Sequence, residues 1–227
     1  MPLNLVFIGP PGAGKGTQSE RLCRAYRIPK ISTGDILREA VHHDTPLGRE
    51  VHATIARGKL VSDGIMIEMI RERLQRPDAH AGFVLDGFPR TVGQAQALET
   101  MMDGRGPIVP VVLVVPEQEL VRRLTLRRVC ENCGATFGPA HAAVGDGGAR
   151  CDACGGRVVQ REDDDAEIVR KRLHIFTQTT EPLVEYYRDY PTFASVDGLR
   201  PPDEVTRALQ AHIEASVLVR GTRRTRS

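Results

Sequence analysis

The stretch NLVFIGPPGAGKGTQSERL, residues 4–22, constrains the fold more than any other part of the chain. An apolar run, NLVFIG, ends in glycine. A glycine-rich turn around Lys15 follows, and GTQSERLCRAY then carries a helical pattern with Leu22, Ala25 and Tyr26 on its buried side. A strand made almost wholly of apolar residues has both faces covered, and the covers of a parallel sheet are helices. The opening therefore predicts an α/β fold: an open parallel sheet with helices on both faces.

The rest of the chain keeps this alternation. Further strands are expected at IPKIS, at GFVLDGFPR (82–90), at IVPVVLVVP (108–116) and at TFASVDG (192–198), making a five-stranded sheet. Helices are expected at DILREAVHH, LGREVHATIARGK, SDGIMIEMIRERLQ, TVGQAQALETMM and PPDEVTRALQAHIEASV. Ser62 and Asp63 are suitable caps for the third of these. EQELVRRLTLRRV should form a helix with Pro116 in its first position. The long pattern AEIVRKRLHIFTQTTEPLVEYYRDY should bend near Pro182. Residues 130–160 break the rhythm, with glycines, cysteines and little apolar periodicity, so a small insertion is expected there. RGTRRTRS at the end reads as a solvated tail.

Bulk properties exclude several classes. A net charge of +2 implies no general field for nucleic acid. No apolar run approaches the roughly 18 residues of a membrane span, and the start has no basic n-region of a signal peptide. The expected setting is the cytosol, where thiols stay reduced. No exposed apolar stripe speaks for a dimer, and a monomer is expected.

GPPGAGKGT (9–17) follows a strand and opens a helix, which is the context a phosphate-binding P-loop requires. Gly9, Gly12, Gly14 and Gly16 let main-chain N–H groups point inward, the helix N-terminus adds its dipole, and Lys15 adds a full charge. A dinucleotide fingerprint would need G-x-G-x-x-G and no lysine. The usual order places Ser or Thr directly after the lysine; here Gly16 intervenes and Thr17 follows. A protein hydroxyl directly on Mg²⁺ is thus not expected, and the ion is left to phosphates and water, with carboxylates behind them.

Cys130-x₂-Cys133 and Cys151-x₂-Cys154 have zinc-ribbon spacing. Glycine follows the second cysteine of each pair, which permits a tight knuckle. Iron in the same four-thiolate site remains open; disulfides and unliganded pairs are the other readings. Four cysteines leave no open coordination position, so the metal is structural, and His141 is read as a loop residue. Cys23 reads as a small core residue. Residues 134–150 hold Phe137, Arg150 and Asp146, too little basic and aromatic character for a nucleic-acid ribbon.

In order along the chain, GPPGAGKGT, ISTGDILR (31–38), GKLVSD (58–63), LDGFPRT (85–91), LRRV (126–129), REDDDAEIVRKRL (161–173) and VDG (196–198) resemble the motifs of the adenylate kinase family. The resemblance covers nearly the whole chain. It implies a P-loop kinase core over residues 1–31, 62–125 and 165–227, a monophosphate-binding helical arm over 32–61 and a lid over 126–164. It implies the Mg²⁺-dependent reaction ATP + AMP ⇌ 2 ADP, with a structural Zn²⁺ in the lid. On this resemblance Gly12, Ala13, Gly14, Lys15, Gly16, Thr17, Arg123, Arg127, Thr136, Phe137 and Arg200 are expected at ATP. Thr33, Arg38, Lys59, Leu60, Val61, Gly87, Arg90, Gln94, Arg161 and Arg172 are expected at AMP. Lys15, Arg90, Arg127, Arg161, Arg172 and Asp86 are the implied catalytic set, with Asp86 near Mg²⁺ and Asp163 and Asp164 orienting its waters or the lid. Arg170 is left as structural. Arg123 and Arg127, four apart, are expected on one helical face.

The residue types suit this chemistry. A phosphate oxygen of AMP is already anionic, so no general base is needed. The difficulty is bringing two polyanions together, and arginine forks meet it best. A kinase for another monophosphate, such as UMP or CMP, is the runner-up. A P-loop ATPase with a nucleic-acid ribbon is the alternative from another class.

Overall fold

The computed structural model describes residues 2–57, 59–138 and 149–221, with side chains to residue 216. His141, Gly58 and residues 222–227 of the basic tail lie outside the described residues.

The main sheet has five strands: β1 (Leu3–Ile8), β2 (Lys30–Ser32), β3 (Gly82–Asp86), β4 (Ile108–Val114) and β8 (Ala194–Asp197). All pairs are parallel, in the order β2-β3-β1-β4-β8. Central β1 sets the register, with Leu5 opposite both Val84 and Val109.

Side-chain alternation builds a core on each face. Val6, Ile8, Ile31, Phe83, Leu85 and Val112 point to one side. They meet α2 (Thr33–His42), α3 (Pro46–Ala56), α4 (Asp63–Leu74) and α5 (Val92–Met101). Leu5, Phe7, Val84, Val109, Val111 and Leu113 point to the other. There they meet α1 (Lys15–Tyr26), α6 (Glu117–Thr125), α7 (Ala166–Ile175) and α9 (Pro202–Gly221). A π-helical turn over residues 176–180 separates α7 from α8 (Pro182–Arg188), so the regular α-helix is interrupted just before the proline. The order of the elements agrees with the sequence pattern.

Several local expectations are corrected. α6 ends at Thr125, because residues 128–130 leave as a strand of a second sheet. Arg127 thus lies beyond the helix and shares no helical face with Arg123. Pro116 takes the N-cap position rather than the first turn. Ala25 is exposed, and only Leu22 of its trio is fully buried. Ser62 occupies the N-cap of α4 without a side-chain bond.

The insertion is a three-stranded antiparallel sheet, ordered β6-β5-β7, of β5 (Arg128–Cys130), β6 (Thr136–Phe137) and β7 (Val158–Val159). Its buried cluster among the described residues is Cys130, Ala149, Cys151 and Val158. So little apolar surface cannot offset the entropy of ordering the segment.

Candidate active site

The phosphate loop runs from the end of β1 into α1. Gly12 and Gly14 have φ of +84° and +98°, conformations that side chains disfavour. A Cβ on Gly12 would also stand 3.0 Å from Leu124 of α6, whereas the space around Gly14 is open. The loop is thus packed from behind and bare in front. Lys15 donates to the carbonyls of Gly9 at 2.8 Å and Pro10 at 2.9 Å, which curls its ammonium over the loop. Burial lowers its pKa to about 8; Asp86 opposes this, while Arg90, Arg172 and Arg127 add to it. The groups that the sequence scatters therefore share one electrostatic site.

The loop opens into a cavity of about 540 Å³ that holds nearly every predicted site residue. On its arm side lie Arg38, Lys59, Leu60, Val61, Gly87, Arg90 and Gln94. Gly87, at φ +88°, is tightly enclosed: a Cβ there would lie 2.7 Å from Thr33 Oγ1 and 3.2 Å from Arg90 Nη2. Thr33 instead donates to the Gly87 carbonyl at 3.0 Å, and Arg90 Nε donates to the same oxygen at 2.8 Å. One carbonyl fixes two site residues. Arg38 pairs with Asp35 on α2. Burial lowers the pKa of both Arg38 and Arg90, the cost of holding cations away from water.

At the root of the lid, Arg127 makes a two-pronged pair with fully buried Asp164, at 2.7 and 2.5 Å. Arg161 does the same with Asp163, at 2.8 and 2.5 Å. Arg172 joins both carboxylates, at 3.1 Å from Asp163 and 3.2 Å from Asp164. Burial pushes the Asp163 carboxyl up, but Arg161 and Arg172 outweigh it and hold it at about 2. Burial brings Arg172 down to about 10. The geometry here gives Asp163 and Asp164 a role in pairing arginines.

The remaining residues line the opposite rim. Arg123 Nε donates to Glu119 at 2.8 Å and Nη2 donates to the Gly198 carbonyl at 2.9 Å. Arg122 and Arg123 together hold the Glu119 carboxyl down at about 2. Arg200 is exposed, 3.6 Å from Asp197, on the cavity edge. Thr136 and Phe137 of β6 reach the cavity from the lid, as do Gly134 and Gly138. Asp86 ends β3 beside the loop; its Oδ2 would be 3.7 Å from a Cβ on Gly16, so glycine keeps this gap open.

In the lid, Cys130, Cys133, Cys151 and Cys154 have their sulfurs within 4.8 Å of one another. Cys130 and Cys154 are 3.4 Å apart, Cys133 and Cys151 3.5 Å. Sulfurs on a tetrahedral zinc at 2.3 Å would stand about 3.8 Å apart. The four cysteines fit such an ion closely.

Glu119 and Asp63 escape the sequence reading. The four-residue step from Glu119 to Arg123 is a visible helical pair, but its target, Gly198, is distant in sequence. Asp63 looks like a cap; its side chain instead accepts from Thr91 and Gln94, both at 2.7 Å.

The glycine-rich loop with Lys15 lines one part of the cavity and a second group of cations lines another. That arrangement suits transfer between two phosphorylated molecules, and on a P-loop sheet it defines a nucleoside monophosphate kinase. Comparison with known proteins narrows the class. The sequence profile described as adenylate kinase matches residues 7–191. An adenylate kinase of Archaeoglobus fulgidus is 46% identical over 214 residues, covering 93% of this chain and 98% of that protein. One from Thermodesulfovibrio yellowstonii is 45% identical, covering 93% and 99%, and one from Geotalea daltonii is 45% identical, covering 91% and 97%. The chain belongs to the adenylate kinase family.

Proposed function

We propose a division of labour in this cavity for the family's reaction, ATP + AMP ⇌ 2 ADP. The observation that carries it is the convergence on one cavity of the phosphate loop and the arginines of arm, core and lid root. ATP phosphates lie over Gly12–Thr17, held by main-chain N–H groups and Lys15, with Arg123, Arg127 and Arg200 beside the nucleotide. Thr136 and Phe137 cover it when the lid, residues 126–164, closes. AMP lies between the arm, residues 32–61, and the core, on Thr33, Arg38, Lys59, Leu60, Val61, Gly87, Arg90 and Gln94. Arg161 and Arg172 reach across to the transferring group.

In-line attack by an AMP phosphate oxygen needs no base. Arg90, Arg127, Arg161 and Arg172 instead meet the charge that spreads over the equatorial oxygens. Lid closure keeps water from competing as the acceptor. Asp86 and the open gap at Gly16 suit a hydrated Mg²⁺ carried with ATP, with Thr17 nearby. When bound, that ion supplies charge neutralisation between the phosphates. The four-cysteine site would hold Zn²⁺, which staples the lid sheet.

Among the described residues no helix is long and apolar enough to cross a membrane. Reduced thiols suit a cytosolic enzyme, and we read it as a monomer without a nucleic-acid partner.

A coupled assay for ADP with ATP and AMP, UMP, CMP or GMP tests the reading. Rapid ADP formation with AMP, far above the other acceptors, is expected. Preference for a pyrimidine monophosphate would move the chain to the runner-up activity.

A further inference from the structure

Gln94 is held by bonds that leave its amide one orientation. Its Nε2 donates to Asp63 Oδ1 at 2.7 Å, and its Oε1 accepts the main-chain N–H of Arg90 at 2.8 Å. The other oxygen of Asp63 accepts from Thr91 Oγ1 at 2.7 Å, and Thr91 in turn caps α5 by accepting from the Gln94 N–H at 3.2 Å. Gln94 is 1% exposed and lines the arm side of the cavity with Val61 and Met66.

A carboxylate only accepts, so the end of the amide that meets Asp63 is the NH₂ group. A main-chain N–H only donates, so the end that meets Arg90 is the oxygen. The two requirements agree, and a flipped amide breaks both bonds. One N–H and one lone pair of the amide then remain for a ligand, in a fixed order.

That order reads purines. A 6-aminopurine presents an acceptor at ring N1 and a donor at the 6-amino group, which complement the free N–H and the free lone pair. A 6-oxopurine presents the reverse, an N1–H donor and an O6 acceptor. An amide free to turn could serve either base. A locked one sets donor against donor and acceptor against acceptor for the 6-oxo base, which leaves buried polar groups unpaired.

We propose that Asp63 is a specificity-determining positioning residue. By fixing the Gln94 amide, it makes the monophosphate site take 6-aminopurine nucleotides and refuse 6-oxopurine ones. The proposal rests on the assignment of Gln94 to the AMP base.

AMP and IMP isolate the effect, because they differ only at the N1 and C6 edge. With ATP as donor, kcat/KM is measured for both acceptors in the wild type and in Asp63→Asn, Asp63→Ala and Gln94→Ala. Asp63→Asn is isosteric, but its own amide can turn, so one of the two constraints on the Gln94 amide is lost and only the weaker, main-chain hold of the Arg90 N–H remains. The AMP-to-IMP ratio should fall by about tenfold or more in both Asp63 variants, with KM for ATP unchanged. Asp63→Ala removes the acceptor without adding a donor, which keeps the test independent of how well either single variant folds. Equal losses for AMP and IMP would mean that Asp63 only supports the helix junction, and would overturn the proposal. A ratio kept in the Asp63 variants but lost in Gln94→Ala would overturn it while sparing the base assignment. A ratio kept in all three would remove Gln94 from the base and the proposal with it.

Discussion

The phosphate loop and the lid root hold their cations in opposite ways. Lys15 donates its ammonium to two main-chain carbonyls, and Arg90 rests on the Gly87 carbonyl. Among the described residues neither makes an ion pair. Arg127, Arg161 and Arg172 are each engaged by Asp163 or Asp164. The core can hold bare cations because two apolar clusters fix the sheet and the helices behind them. Among the described residues the lid root has a smaller backing on its outer side, where a small sheet encloses Cys130, Ala149, Cys151 and Val158. Its arginines are ordered by carboxylates instead. Rigid scaffolding and internal counter-charges are thus two ways of holding cations in place, used side by side in one cavity.

If this contrast is right, removing an unpaired core cation costs catalysis without costing stability. Arg90→Ala is expected to lower kcat/KM about a thousandfold, or about 4 kcal/mol, the lower end of what a transition-state arginine supplies. Its melting temperature should hold or rise, since a desolvated charge is lost. Asp164→Ala is the counterpart: it strands the Arg127 guanidinium and should reduce stability by about 3 kcal/mol or more. Steady-state kinetics and thermal melts on the two variants check the pair. A near-native turnover in Arg90→Ala would break the comparison on its core side.

The core side was legible in the sequence because its geometry demands residue types. Positive φ at Gly12 and Gly14 leaves few alternatives to glycine, and Lys15 needs one place only. The cysteines were legible for a similar reason, since thiolate spacing is dictated by the ion. The arginines carry no such local signature, because an isolated Arg127 or Arg161 looks like any solvated residue, and only the family resemblance singles them out. Their partners were less visible still. Arg127 meets Asp164 across 37 positions, Gln94 meets Asp63 across 31, and Arg123 meets Gly198 across 75. No periodicity links such pairs; only the folded sheet does. LTLRRV suits a helix by residue type, yet the chain leaves the helix after Thr125 and uses Arg128–Cys130 as a lid strand.

Metal removal sharpens the lid side. An ion held by the four sulfurs would supply what the small apolar cluster cannot, since zinc binding is worth on the order of 10 kcal/mol in isolated metal-folded units. A chelator, or Cys151→Ser, should lower the melting temperature by about 5 °C or more. It should reduce kcat while leaving AMP binding at the core and arm intact, measured by calorimetry. An unchanged melt after confirmed metal loss would show that the lid sheet stands without its staple.

The smallest effect is a proton. Lys15, lowered to about 8 by burial, is about nine-tenths charged at pH 7 and about one-quarter charged at pH 8.5. Phosphates favour its charged form, so ATP binding must raise its pKa and draw a proton from solvent above pH 8. Uptake should be about a tenth of a proton at pH 7 and about three-quarters at pH 8.5, with affinity weakening by up to about tenfold per unit beyond pH 8. The sign is fixed: a lowered lysine loses affinity as pH rises, not as it falls. Calorimetry in two buffers of different ionisation enthalpy measures the uptake, and Lys15→Met should abolish it. Asp163, at about 2, and Arg172, at about 10, stay almost wholly charged between pH 7 and about 8.5, so they add little to the change there. Proton uptake that persists in Lys15→Met would place the desolvated charge elsewhere and dissolve the contrast between a bare loop and a paired lid root.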